Sequence, residues 1–163
     1  MASVSTVIEA PPEQVWQALS DGWLYPLWVV GATHMRDVDE GYPEPGTRLH
    51  HSVGAWPFLV KDNTVVEECE PLTRLVLRAS GWPAGVALIE LKLESVGPTS
   101  SACRVTMFEE PIEGPGRIAH QVLRPVSEWA LTKRNSECLG RLKAIVERRD
   151  ADLLPDGVPG DQA

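Results

Sequence analysis

Apolar and polar residues alternate with period two along most of the chain up to about residue 110. Residues 3–9 set Val4, Thr6 and Ile8 on one side, the pattern of a strand with one covered face. Residues 86–96 set Ile89, Leu91 and Leu93 against Glu90, Lys92 and Glu94. From residue 103, Cys103, Val105 and Met107 alternate with Arg104 and Thr106. Further strands are predicted over 32–39, 47–54, 59–69 and 73–80. Gly- and Pro-rich stretches at 41–46, 56–57, 81–85 and 97–100 separate them. The alternation is interrupted once, early. Ala10-Pro11-Pro12-Glu13 stops the first strand and starts a short helix on Val15, Trp16, Ala18 and Leu19 that runs to Ser20, and Asp21-Gly22 ends it. Residues 23–28 read as a second short helix or turn, broken at Pro26.

The period then changes. Over residues 116–149, apolar or small positions recur at Trp129, Leu131, Asn135, Cys138, Leu142, Ile145 and Val146. Lys133, Arg134, Glu137, Arg141, Lys143 and Glu147 fall opposite them. That is a long helix with one buried face. Pro125 kinks or splits it near its start, leaving 118–123 as a separate lid region. Asn135 and Cys138 stand where larger hydrophobes would fill space, so the helix reads as one wall of a cavity. From Asp150 onward the period disappears into Pro, Gly and Asp, and 150–163 reads as a tail to a single domain over 1–149. The order is strand, two short helices, six strands, long helix. Short turns between consecutive strands imply an antiparallel sheet, and the fold class is α+β, with the helix laid across a curved sheet.

Composition narrows the partners. A net charge of −8 argues against nucleic acid and against an anionic membrane surface. No apolar run reaches the roughly 18 residues of a membrane span, and no basic-then-apolar leader opens the chain, so no membrane insertion and a cytoplasmic location are expected. Cys69, Cys103 and Cys138 are odd in number, far apart and without a CxxC spacing, the pattern of free thiols. Six Trp against two Phe and two Tyr is unusual and suits a pocket, although Trp16 and Trp129 fit the core better. The pattern leaves monomer and homodimer equally open.

Several stretches resemble a known superfamily. The opening strand followed by Ala10-Pro11-Pro12-Glu13-Gln14-Val15-Trp16 and Asp21 is similar to the start of the START-like, helix-grip proteins, often labelled SRPBCC. Trp28-Val29-Val30-Gly31-Ala32, the run from Pro45 to Gly54, Trp56-Pro57, Gly81-Trp82-Pro83-Ala84-Gly85 and Arg134-Asn135 resemble its bacterial polyketide cyclase/dehydratase and lipid-transport branch. The resemblance covers roughly residues 1–148. It implies a seven-stranded antiparallel sheet curled around the C-terminal helix, an apolar cavity between them, and two short helices closing one end. It brings no catalytic set with it.

Candidate chemistry follows from which residues face that cavity. His50 and His51 are neighbours in a strand and point to opposite faces. His51 shares the more apolar face with Leu49 and Val53, so it is the inward candidate, the alternative being a half-buried strand histidine bonded to backbone or water. Asp62 shares a face with Val60, Thr64 and Val66. It could hold a ligand hydroxyl, pair with a histidine, or mark a bulge. Glu109 follows Met107 on the face of Cys103 and Val105. Burial there would raise its pKa and suit general acid or base work, whereas a position at the strand end would leave it near solvent. Trp28, Trp56 and Trp82 lie at loop or helix ends that meet at the cavity mouth in the helix-grip arrangement, where they could stack on a flat ligand or simply pack their loops. Asn135 either completes a buried hydrogen-bond network or reaches a ligand.

No HExxH, GxSxG, P-loop or dinucleotide fingerprint occurs, so neither a metal nor another cofactor is expected. The leading reading is a binding or carrier domain for a hydrophobic, aromatic or lipid-like small molecule. A cyclase/dehydratase-type enzyme using His51, Asp62 or Glu109 is the second. A protein-interaction or regulatory module is the third. An inward histidine or carboxylate keeps the second alive, and a cavity filled by its own side chains would favour the third.

Overall fold

The computed structural model describes residues 2–54, 60–81 and 85–153. Seven strands, β1 (Ala2–Ile8), β2 (Ala32–Val38), β3 (Arg48–Val53), β4 (Val60–Glu70), β5 (Arg74–Gly81), β6 (Gly85–Val96) and β7 (Ala102–Glu113), form one antiparallel sheet in the order β1-β7-β6-β5-β4-β3-β2. All consecutive strands from β2 to β7 are neighbours, and β1 closes on β7. This is the curved sheet of a helix-grip α+β fold. β6 and β7 run side by side from Val96–Ala102 to Val86–Glu113. The last strand therefore continues well past Met107 and carries Glu109 in mid-strand between Ala2 and Ile89. Gly85 makes the start of β6 possible. Its φ is +111°, and a Cβ there would lie 2.1 Å from the Glu113 carbonyl oxygen.

Helix α1 (Pro12–Ser20) starts on Pro12 with Glu13 in its first turn, both favourable at a helix N-terminus, and buries Val15, Ala18 and Leu19. A 3₁₀ turn (Gly22–Leu24), capped by the Asp21 side chain accepting from Trp23 N at 3.1 Å, leads into α2 (Tyr25–Trp28). Pro26 does not break this segment. It occupies the first turn of α2, where the missing N–H costs nothing. The long C-terminal segment is split, as Pro125 implies, into α3 (Pro115–Val122) and α4 (Arg124–Leu153). Helix α4 reaches Leu153, past the Asp150 boundary expected from composition. Residues 154–163 lie outside the described residues.

The core joins the inner sheet face, including Leu49, Val66, Leu75, Leu77, Ile89, Leu91, Val105 and Met107, to α1 and to Cys138, Leu139, Leu142 and Val146 of α4. Helix α4 packs mainly on β1 and α2. Lys143 Nζ donates to Val7 O at 2.6 Å, and Glu9 N donates to Glu147 Oε1 at 3.0 Å. Trp129, expected in the core, is 62% exposed. It lies six residues before Asn135, which at 3.6 residues per turn is about 120° around the helix from the buried stripe.

Candidate functional site

Between the sheet and the first half of α4 lies a cavity of about 420 Å³. Val29, Ala32, Val53, Ala79, Val86, Ala87, Ile89 and Leu131 give it mostly apolar walls. It falls within the usual size of a small-molecule site. Its polar lining is concentrated in Glu109, Arg134, Tyr25, His51 and Ser80.

Glu109 projects from the middle of β7 and its side chain is 5% exposed. It is not a lone carboxylate. Arg134 Nη1 donates to both of its oxygens at 2.8 Å, and Arg134 Nε donates to the Val30 carbonyl at 3.0 Å. Burial alone would lower the Arg134 pKa. The field of Glu109, with smaller ones from Cys138 and Tyr25, outweighs it and holds the guanidinium above its ordinary value. The pair thus puts a compensated charge in the cavity wall and ties α4 to β7 and to the segment after α2. The charge of Arg134 suggests the solvent face of the helix, but geometry places it elsewhere. Ser127, Ala130, Leu131 and Arg134 recur at i, i+3, i+4 and i+7, and all four line the cavity. That run of small or apolar side chains leading to an arginine is the signal available in the sequence.

A second polar group also reaches the cavity, through Tyr25 and His51. The His51 ring lies 2.9 Å, through Nε2, from Thr64 Oγ1, and Tyr25 Oη lies 3.0 Å from the same hydroxyl. The Tyr25 and His51 rings are 5.3 Å apart. Burial pushes the Tyr25 phenol up to about 12, so it keeps its proton at neutral pH. Burial also lowers the His51 pKa, against the opposing field of Asp62, and leaves the ring neutral. His51 Nδ1 has no partner of hydrogen-bond geometry among the described residues; the Ser52 backbone comes near enough only to favour the protonated ring. Tyr25, from the short α2, was not singled out by pattern. Its position depends on how α2 folds back over the sheet.

The remaining candidates divide. His51 and Asp62 are cross-strand partners, both buried, in a stretch where β3 and β4 pair without a register shift. No bulge therefore accounts for Asp62, but it does not line the cavity. Met107 and Asn135 are fully buried and do not line it either. Both amide atoms of Asn135 lack a partner among the described residues. Trp28 is not at the mouth. It is buried in the core, edge-on to Tyr25 at 5.5 Å. Trp56 and Trp82 lie outside the described residues. His50 faces outward, as alternation requires, between Asp39 Oδ1 at 2.8 Å and Asn63 Oδ1 at 3.0 Å. No group of three or more His, Cys, Asp or Glu that could hold a metal ion occurs among the described residues.

Residues 1–147 match the family described as "Polyketide cyclase / dehydrase and lipid transport". The chain belongs to that family. Solved structures agree on the fold of this family member. The Zhui aromatase/cyclase from Streptomyces sp. R1128 is 14% identical with a TM-score of 0.64, over 91% of this chain and 94% of that one. Protein NE0264 from Nitrosomonas europaea is 18% identical with a TM-score of 0.64, over 91% and 95%. Ara h 8.0201 is 15% identical with a TM-score of 0.61, over 90% and 96%. No curated protein matches the sequence significantly.

Proposed function

We propose that this family member binds or carries a hydrophobic small molecule, aromatic or lipid-like, inside the cavity between the sheet and α4. The observation that carries the reading is the cavity itself, about 420 Å³ with mostly apolar walls and a buried Glu109–Arg134 pair in them. An open cavity also weighs against the interaction-module reading. The apolar walls take the body of the ligand, and Arg134, Glu109 and Tyr25 orient a polar end. A cytoplasmic site of action fits the three free thiols.

The test is native mass spectrometry of the purified protein for a co-purified hydrophobe, followed by tryptophan-fluorescence titration with fatty acids and polycyclic aromatics. Filling the cavity by Ala87→Phe is expected to weaken binding at least about tenfold, the loss of about 1.4 kcal/mol of contact. Unchanged affinity in a folded variant would refute the assignment.

Tyr25 and His51, which face the same cavity as Glu109 and are joined through the Thr64 hydroxyl, favour a second reading, cyclase/dehydratase-type proton transfer. On that reading His51→Gln and Tyr25→Phe abolish turnover of a bound polyketide-like substrate while leaving binding within a few-fold. If turnover survives both substitutions, proton transfer runs through other groups.

A further inference from the structure

We propose that α3 and the first turns of α4 form a docking ridge for an anionic lipid surface. Ile118, Val122, Leu123, Val126 and Trp129 are each more than half exposed. Ile118 and Val122 stand four residues apart on α3, and Val126 and Trp129 three apart on α4, so each helix puts large hydrophobes in solvent where a surface helix normally carries charge. Arg117 and Lys133, both exposed, stand at the two ends of this run. Lys133 Nζ lies 5.0 Å over the Trp129 ring. In sequence the segment holds Arg117, Arg124 and Lys133 against the single acid Glu128, within a chain of net charge −8.

The whole-chain charge points away from an anionic surface, but it is the local charge that acts there. At physiological salt the screening length is about 8 Å, so a surface touching the ridge meets its basic residues and is screened from acids farther away. Aliphatic side chains with a Trp beside basic residues match an interfacial helix. No described helix is long and apolar enough to cross a membrane, so the contact is peripheral.

Continuity with the cavity favours lipid over a protein partner. The same helical segment lines the cavity with Gly116, Ser127, Ala130 and Leu131 on its other face. Docking the ridge sets the thin wall of an apolar cavity against acyl chains. A second copy is disfavoured by charge. Two ridges paired about a two-fold axis would bring the basic end at Arg117 against the basic end at Lys133. The inference does not depend on which ligand fills the cavity.

The experiment is flotation of the full chain with vesicles of phosphatidylcholine and phosphatidylglycerol in equal parts, and with phosphatidylcholine alone, at low and high salt. The protein is expected to float with the anionic vesicles at low salt and to be released by high salt. Arg117→Ala and Lys133→Ala should each weaken binding about fivefold. Val122→Asp with Val126→Asp should remove it at an unchanged melting temperature. The inference is overturned by any of three results: no flotation with anionic vesicles at low salt, flotation insensitive to Val122→Asp with Val126→Asp, or a concentration-dependent dimer in sedimentation that those substitutions dissociate.

Discussion

Replacing Arg134 by Met removes the guanidinium and keeps most of the aliphatic stem, so it isolates what the charge contributes to the cavity wall. Glu109 is left 5% exposed with no cation, and the Val30 carbonyl loses its donor. Breaking a fully buried pair costs about 3–5 kcal/mol. Arg134 is 31% exposed, so water can reach the site it vacates, and the expected cost falls to about 2–4 kcal/mol. For a domain of this length that is a melting temperature lower by roughly 4–16 °C. Urea unfolding of the parent, Arg134→Met, Glu109→Gln and the double variant completes a cycle. The double variant should be more stable than Arg134→Met, because neutralising Glu109 removes the orphaned charge. If Arg134→Met lies within about 0.5 kcal/mol of the parent, or the two losses simply add, the pair is a surface contact and not a structural tie.

Two further outcomes follow. His51 titrates lower in the folded state than its unfolded value of about 6.5, so the unfolded chain binds more protons as pH falls below that value. Stability should therefore decline from pH 6.5 toward pH 5, and His51→Gln should flatten that limb in thermal melts; an identical slope in the variant would assign it to other groups. Gly85→Ala should cost at least about 2 kcal/mol by urea unfolding, since it combines an unfavourable φ of +111° with a Cβ 2.1 Å from the Glu113 oxygen; a neutral substitution would mean that the start of β6 shifts freely.

The fold was legible because its elements obey local rules. The period-two runs, the Pro-started α1 and the Pro125 split are each decided within about a dozen residues. Direction is legible where a strand dictates it: alternation alone turns His51, Asp62 and Glu109 inward, although only His51 and Glu109 line the cavity. Pattern fails where direction depends on tertiary placement. Trp129 falls outside the core because the buried stripe begins at Asn135, about 120° away around the helix. The charge of Arg134 points to solvent, but a carboxylate on β7, distant in sequence, draws it in. Trp28 lies at a helix end, which in the helix-grip arrangement suggests the mouth, whereas α2 turns it into the core. Tyr25 could not be found from pattern, since its partner Thr64 is 39 residues away. Met107 and Asn135 show that facing inward is not the same as lining a cavity, because the helix covers part of the inner face.

Helix α4 also holds two different stabilities in one hydrogen-bonded rod. Its fully buried positions begin at Asn135 and run through Cys138, Leu139 and Leu142 to Val146, where Lys143 and Glu147 add ties to β1 and the residue after it. Before Asn135, none of the described side chains of α4 is fully buried, and Arg134 makes the main tie. Opening free energy should therefore rise along the helix, low in its first two turns and near the global value around Leu142. In amide hydrogen exchange the boundary between fast and slow protons should fall at Arg134. The cavity can then exchange its contents by local fraying of one end of one helix, while every strand of the sheet stays paired.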